Sequence, residues 1–190
     1  MKSNNVALFL SLKKLIMKYC AFLRGVNVNG TRMKMAEVCD VFEKAGMQNV
    51  CSVLATGNIL FSSEKTESEL KPILENELSS HFGYEAFLFL KTENEVKAIL
   101  KKNPFQAANN FHHYVFITAE NTASLLKEKF ETCQKSEGEK GILIDDTFYW
   151  QVEKGNTLDS DFGKILGNKA FKEKLTSRNI NTLEKIALKF

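Results

Sequence analysis

Runs with a two-residue hydrophobic period alternate with runs of helical period in a set order along the first half of the chain. Residues 19–28 read as a strand, which Asn29-Gly30 ends with a turn signal. Met35, Val38, Phe42 and Ala45 then share one helical face, with Gly46 as the stop. Residues 50–55 and 59–63 are two short strand-like runs around Thr56-Gly57-Asn58, either a hairpin or one bulged strand. Thr66 and Glu69 form a capping-box pattern that opens a helix carrying Leu70, Leu74, Leu78 and Phe82 up to Gly83. Pro72 lies early in that helix and predicts a kink or a delayed start. Residues 85–90 close the series as an apolar strand. The resulting order, βαββαβ, is the ferredoxin-like arrangement.

The second half starts on another capping box, Thr92 and Glu95, with a short helix ending near Asn103-Pro104. His113 to Thr118 read as a strand, and Asn121 caps a helix carrying Leu125, Leu126 and Phe130. Gly141 to Ile144 and Thr147 to Val152 form a hairpin across Asp145-Asp146. A helical segment follows from Asp161 to Leu175, then a last helix from Thr182, with Thr176-Ser177-Arg178-Asn179 joining the two. This half reads αβαββαα and repeats the βαββα core without a final strand. The expectation is an α+β fold of two similar ferredoxin-like (βαββα-type) subdomains, 17–91 and 92–190. No linker separates them, so they pack tightly or intertwine into one unit. Residues 1–16 form an extension ahead of them.

Charge and composition narrow the function classes. The chain has 190 residues and a net charge of +3. Lys2, Lys13 and Lys14, with no acid before Met17, account for the whole excess. The rest of the chain is neutral and offers no bulk electrostatic footprint for nucleic acid or membrane. No apolar run reaches the length of a membrane-spanning helix, and the first residues lack the apolar stretch and cleavage site of a secretion signal. Cys20, Cys39, Cys51 and Cys133 form no C-x-x-C pair, which argues against zinc or a redox dithiol and fits a cytoplasmic protein. No His, Asp and Glu cluster has metal-ligand spacing, and neither a metal nor a cofactor is implied.

The segment Arg24-Gly-Val-Asn-Val-Asn-Gly-Thr-Arg32 is the most unusual in the chain. Two glycines that bracket four residues, between a strand and a helix, suggest a phosphate loop. The lysine that such a loop needs is missing, and Thr31-Arg32 stand there instead. Asp145-Asp146 are hairpin-turn residues rather than magnesium ligands. What survives is a generic anion site, with Arg24, Asn27, Asn29, Arg32 and Lys34 near a helix start, against the plainer reading of a solvated basic loop. Thr56 and Asn58 either shape a turn or face a ligand. Three arginines stand among 23 lysines, and Arg24, Arg32 and Arg178 all lie in segments rich in glycine or asparagine. Arginine's planar fork suits phosphate and carboxylate, so Arg178 and Asn179 join the candidate set.

The string Tyr-Cys-Ala-Phe-Leu-Arg-Gly-Val-Asn-Val-Asn-Gly (19–30), followed by Met33-Lys-Met-Ala-Glu37, resembles the opening of a family of bacterial proteins, domain of unknown function family 1697. The resemblance continues through Thr56-Gly57-Asn58-Ile59, Asn103-Pro104-Phe105 and Ser177-Arg178-Asn179. Thr56 stands where serine is common and keeps the hydroxyl. The resemblance implies two intertwined α+β subdomains and brings no activity. It places Arg24, Asn27, Gly30, Gly57, Asn58, Arg178 and Asn179 in signature segments.

Two functional readings follow. The first is binding of, or enzymatic action on, a small anionic ligand, with Arg24, Asn58 and Arg178 converging on one pocket and no acid or base assigned. The alternative is RNA or single-strand binding on a ferredoxin-like sheet, with Phe22 and Phe61 as stacking platforms. Gly57-Asn-Ile-Leu-Phe61 matches the sequence pattern of such platforms poorly. A partner-binding protein with no small ligand is a third, blander reading, marked by an exposed apolar patch.

Overall fold

A computed structural model describes residues 15–26, 33–171 and 173–190. The first fourteen residues of the expected extension, and Asn27, Asn29, Gly30 and Arg32, lie outside the described residues.

The first half runs β1 (Met17–Arg24), α1 (Met35–Lys44), β2 (Gln48–Ser52), β3 (Asn58–Ser63), α2 (Glu67–Phe82), β4 (Phe87–Thr92) and α3 (Glu93–Lys101). The second runs β5 (Phe111–Thr118), α4 (Thr122–Thr132), β6 (Lys140–Ile144), β7 (Thr147–Glu153), α5 (Asp161–Leu166), a 3-10 turn at Lys169–Phe171, β8 (Leu175–Asn179) and α6 (Ile180–Ala187). The order βαββαβα therefore occurs twice. Each half builds a four-stranded antiparallel sheet, β2-β3-β1-β4 and β6-β7-β5-β8. The fold is α+β with two similar subdomains.

Strand alternation explains the layering. In β1, Tyr19, Ala21 and Leu23 point into a core closed by Phe42 of α1 and Leu70, Leu74 and Leu78 of α2. Cys20 and Phe22 point the other way, towards Val96 and Ile99 of α3. The same cluster takes in Leu183 and Ile186 of α6 with Val115, Ile117 and Tyr149 of the second sheet. The α3–α6 pair is thus sandwiched between the sheets. On the far side, Phe116, Phe148 and Trp150 pack against Phe130 and Phe162. Tyr149 adds a polar tie across the middle layer, donating its hydroxyl to the Ile99 carbonyl at 2.9 Å.

Several local expectations meet the structure directly. The Thr66–Glu69 box is formed, with the Thr66 amide donating to the Glu69 carboxylate at 2.8 Å. The Thr92–Glu95 box repeats it at 2.8 Å. The Asp145-Asp146 hairpin is formed, with Asp145 in the left-handed region at φ 48°. Around Thr56-Gly57-Asn58 the chain makes a hairpin, with a register irregularity in β2 between Gln48 and Cys51. α2 starts at Glu67 and runs through Pro72 to Phe82, so the proline does not delay it.

Two expectations are corrected. The helix expected over Asp161–Leu175 stops at Leu166, and Thr176-Ser177-Arg178-Asn179 are a strand, not a helix–helix link. β8 is the final strand that the second half had lacked. Asn121 does precede α4, but with φ 60° and no side-chain cap bond.

The two halves also match residue by residue. Tyr19 pairs with Phe61 and stacks on it at 5.5 Å, and Tyr114 pairs with Trp150 and stacks at 5.6 Å. Tyr19 also pairs with Thr92, the cap of α3, and Tyr114 with Asn179, the cap of α6. By this register Lys91 of β4 is the counterpart of Arg178 of β8. Arg24, five residues after Tyr19, corresponds to Ala119.

Candidate functional site

β8 is an edge strand of the second sheet, and its Arg178 side chain crosses to the first sheet. Nε donates to Asn58 Oδ1 at 2.6 Å. Nη1 donates to Thr176 Oγ1 at 2.7 Å and to the Ser177 carbonyl at 2.8 Å. Nη2 donates to the Leu23 carbonyl at 2.7 Å and to the Gly57 carbonyl at 3.2 Å. The guanidinium also lies 5.6 Å from the centre of the Phe22 ring. All five donors of the fork are therefore taken up by neutral oxygens.

Asn58 is the relay in this cluster. It is fully buried, and its amide nitrogen donates to the Val53 carbonyl at 2.9 Å and to Thr56 Oγ1 at 3.0 Å. Gly57 sits between them at φ 73°, where a Cβ would meet Val26 Cγ2 at 2.4 Å and Leu23 Cβ at 3.0 Å. Only glycine allows the turn to pack this closely on the end of β1.

Arg178 is 9% exposed, and burial pushes its pKa down to about 10, which leaves it charged at neutral pH. Among the described residues no ion pair joins Arg178 or Arg24 to a carboxylate. Cys20 lies close enough to feel the charge. Burial nevertheless pushes its thiol strongly up, so it supplies no thiolate counter-ion.

A cleft opens beside this cluster, between the ends of β1 and β4 on one side and β8 with the end of α5 on the other. It encloses about 930 Å³ and is lined by Arg24, Thr56, Lys169 and Arg178 among its polar residues. Arg24 is half-buried, and burial lowers its pKa. Its Nη1 donates to the Leu175 carbonyl, its one partner among the described residues. The acid on the rim is Glu85. The hydroxyl of Tyr84, also lining the cleft, is buried without a hydrogen-bond partner among the described residues.

Arg24, Thr56 and Arg178 thus come together, with Asn58 directly behind. The other candidates lie elsewhere. Lys34 stands ahead of α1, with a side chain 80% exposed and paired with Glu37 at 3.4 Å. Asn179 caps α6 by accepting from the Asn181 amide at 3.0 Å, and its own amide faces His112 Nδ1 at 3.4 Å. Asn27, Asn29 and Arg32 lie outside the described residues. Val26 and Met33, on either side of that gap, both line the cleft. Lys169, Tyr84 and Phe87 were not singled out from the sequence. Phe87 was within reach: the β1–β4 pairing of a ferredoxin-like sheet sets it opposite Arg24.

The sheet-platform version of nucleic-acid binding meets a physical obstacle. Phe22 and Phe61 are 0% and 2% exposed, both inside helix-covered cores, so neither ring offers a face to a base. Trp150 is likewise core. Among the described residues no His, Cys, Asp and Glu group is placed to hold a metal, and no helix is long and apolar enough to cross a membrane.

A second cleft, of about 390 Å³, occupies the related position in the other half. It is lined by Lys91, Thr118, Ala119 and Asn121 together with Asp145-Asp146 at the tip of the β6–β7 hairpin. Its cations are neutralised internally: Lys91 pairs with Glu95 at 3.0 Å and Lys102 with Asp145 at 2.5 Å.

The family model that matches this chain, over residues 16–149, is described as a protein of unknown function, DUF1697. The chain belongs to this family. The match covers Arg24, Thr56 and Asn58 and ends before Arg178. Among solved structures, the conserved bacterial protein SP0830 from Streptococcus pneumoniae is similar, with a TM-score of 0.76 and 21% identity over 92% of this chain and 98% of that one. At that identity the likeness shows the fold. No curated protein matches the chain. In this DUF1697 member, the match runs from β1 into β7 and the structural likeness covers most of the chain, and neither assigns the Arg178 cleft an activity.

Proposed function

We propose that the protein binds a small anionic ligand in the cleft between the β1–β4 end of the first sheet and β8 of the second. The observation that carries this reading is a buried guanidinium with no carboxylate partner among the described residues, beside a second, half-buried guanidinium lining the same cleft. Removing a full charge from water costs several kcal/mol unless an opposite charge or dense hydrogen bonding offsets it. Hydrogen bonds to neutral oxygens hold Arg178 in place, and they leave its positive charge beside the cleft without an acidic counter-ion among the described residues. Among the described residues Arg24 has N–H groups without a partner, which suit a ligand, and Lys169 adds a third cation. The related cleft, where each lysine has its own acid, is the internal contrast.

In this reading Arg24 contacts the ligand and Arg178 orders the site from behind. The four cysteines are free, which fits a reducing, cytoplasmic setting. The test is calorimetric titration with a panel of nucleotides, sugar phosphates and dicarboxylates, repeated on Arg24→Ala. A charge-assisted hydrogen bond is worth about 1.5–3 kcal/mol. The variant should therefore lose at least tenfold in affinity for whichever anion binds, and wild-type binding should weaken with salt. An unchanged affinity in Arg24→Ala would remove the cleft as the anion site.

A further inference from the structure

We propose that the ligand of this cleft is a phosphate monoester, held by its dianionic head group; this rests on the anionic reading above. The surface that the cleft offers leads there. Leu23, Val26, Met33 and Leu175 line it but are at most 6% exposed, already packed in the cores. The polar lining is more open: Thr56 and Lys169 are exposed, and Arg24 and Ser177 half-buried.

The hydrogen-bond network turns these groups into donors. A guanidinium only donates, so Arg178 Nε fixes the Asn58 amide with Oδ1 towards it. The Asn58 amide nitrogen therefore faces Thr56 Oγ1, which accepts at 3.0 Å. The Thr56 hydroxyl proton, with no acceptor among the described residues, is left to donate into the cleft. The main chain of β8 behaves alike. The Ala119 amide donates to the Lys174 carbonyl at 2.8 Å, which sets the phase of the β5–β8 ladder. Leu175 and Ser177 then turn their backbone groups away from β5. Their carbonyls are taken by Arg24 and Arg178, and the Ser177 N–H stays on the cleft side. An edge whose acceptors are filled suits oxygens that only accept, and suits an added strand poorly, because a strand needs both.

Charge selects among the oxyanions. Arg24, Lys169 and Arg178 line the cleft with one acid, Glu85, among the described residues. A phosphate monoester brings three acceptor oxygens and a charge of about −1.5 to −2 at neutral pH, which matches the donors and the excess of cations. A monocarboxylate or a phosphate diester brings a single charge.

The test is calorimetric titration of the full chain with phenyl phosphate, its methyl diester and benzoate, which share one ring and differ in head group. Phenyl phosphate should bind at least tenfold tighter than either of the others. Its affinity should rise about tenfold between pH 5 and 7.5, as the second proton leaves with a pKa of about 6, while that of benzoate stays flat. Thr56→Val should lose at least tenfold for phenyl phosphate, the worth of one charge-assisted hydrogen bond. If that variant does not fold, the pH profile of the wild type decides alone. Benzoate or the diester binding as tightly as phenyl phosphate, or a phenyl phosphate affinity flat in pH, overturns the phosphate head group. Binding of dicarboxylates alone from the wider panel does the same, and leaves the anionic reading standing if Arg24→Ala weakens them. Phenyl phosphate binding unchanged in Arg24→Ala overturns the anionic reading and the phosphate with it.

Discussion

Arg178 ties the two sheets together through one planar group. Two of its acceptors, Asn58 Oδ1 and the Leu23 carbonyl, belong to the first sheet, and Thr176 and Ser177 belong to its own strand. Replacing it with methionine would keep the volume but leave these buried oxygens without donors, at about 1–3 kcal/mol for each one that cannot find water. Arg178→Met should therefore unfold at lower urea, with a loss of about 3 kcal/mol at unchanged m-value. Arg178→Lys should also destabilise, because an ammonium has three donors and no planar fork. A loss under about 1 kcal/mol in Arg178→Met would refute the clamp. The scarcity of arginine made Arg178 conspicuous in the sequence. Scarcity says nothing about where a guanidinium points, so the clamp role was not legible. The Arg24 contact was closer to hand, since residues ending a strand beside a glycine loop sit at a sheet's end.

The elements show where periodicity succeeds and fails. In the first half β1, β3 and β4 have apolar residues at their inward positions, and the order βαββαβ follows from the pattern. β8 breaks it. Leu175 and Thr176 are buried, and the next buried position holds Arg178, so no apolar alternation marks the strand. The repeat itself held the missing signal: a half lacking its fourth strand leaves an edge of β5 unpaired. The β2–β3 turn is the matching feature on the opposite wall, and it depends on Gly57. A side chain there meets both a left-handed backbone and the Val26 and Leu23 side chains. The backbone strain costs about 1–2 kcal/mol and the overlap about as much again. Gly57→Ala should lose about 3 kcal/mol by denaturant unfolding. Because Gly57 and Asn58 supply acceptors for Arg178, the same variant should also weaken ligand binding. A variant as stable as wild type would mean that the turn can open without disturbing the clamp.

At the scale of the molecule, two related halves face each other across the α3–α6 layer, and each offers a cleft to the other's edge strand. Symmetry of fold would allow two ligands per chain. The side chains break that symmetry. Where one cleft has Arg178 with no ion pair among the described residues, the other has Lys91 held by Glu95; where one has Arg24, the other has Ala119. The second cleft already contains its counter-ions, so an incoming anion would have to displace them and gains little. Calorimetry should therefore give one ligand per chain. Lys91→Ala should leave the affinity within about twofold of wild type, because a partly exposed pair of this kind is worth about 1 kcal/mol and lines the other cleft. A stoichiometry of two, or a tenfold loss in Lys91→Ala, would show that the halves share the work and that the arginine cleft is not the sole site.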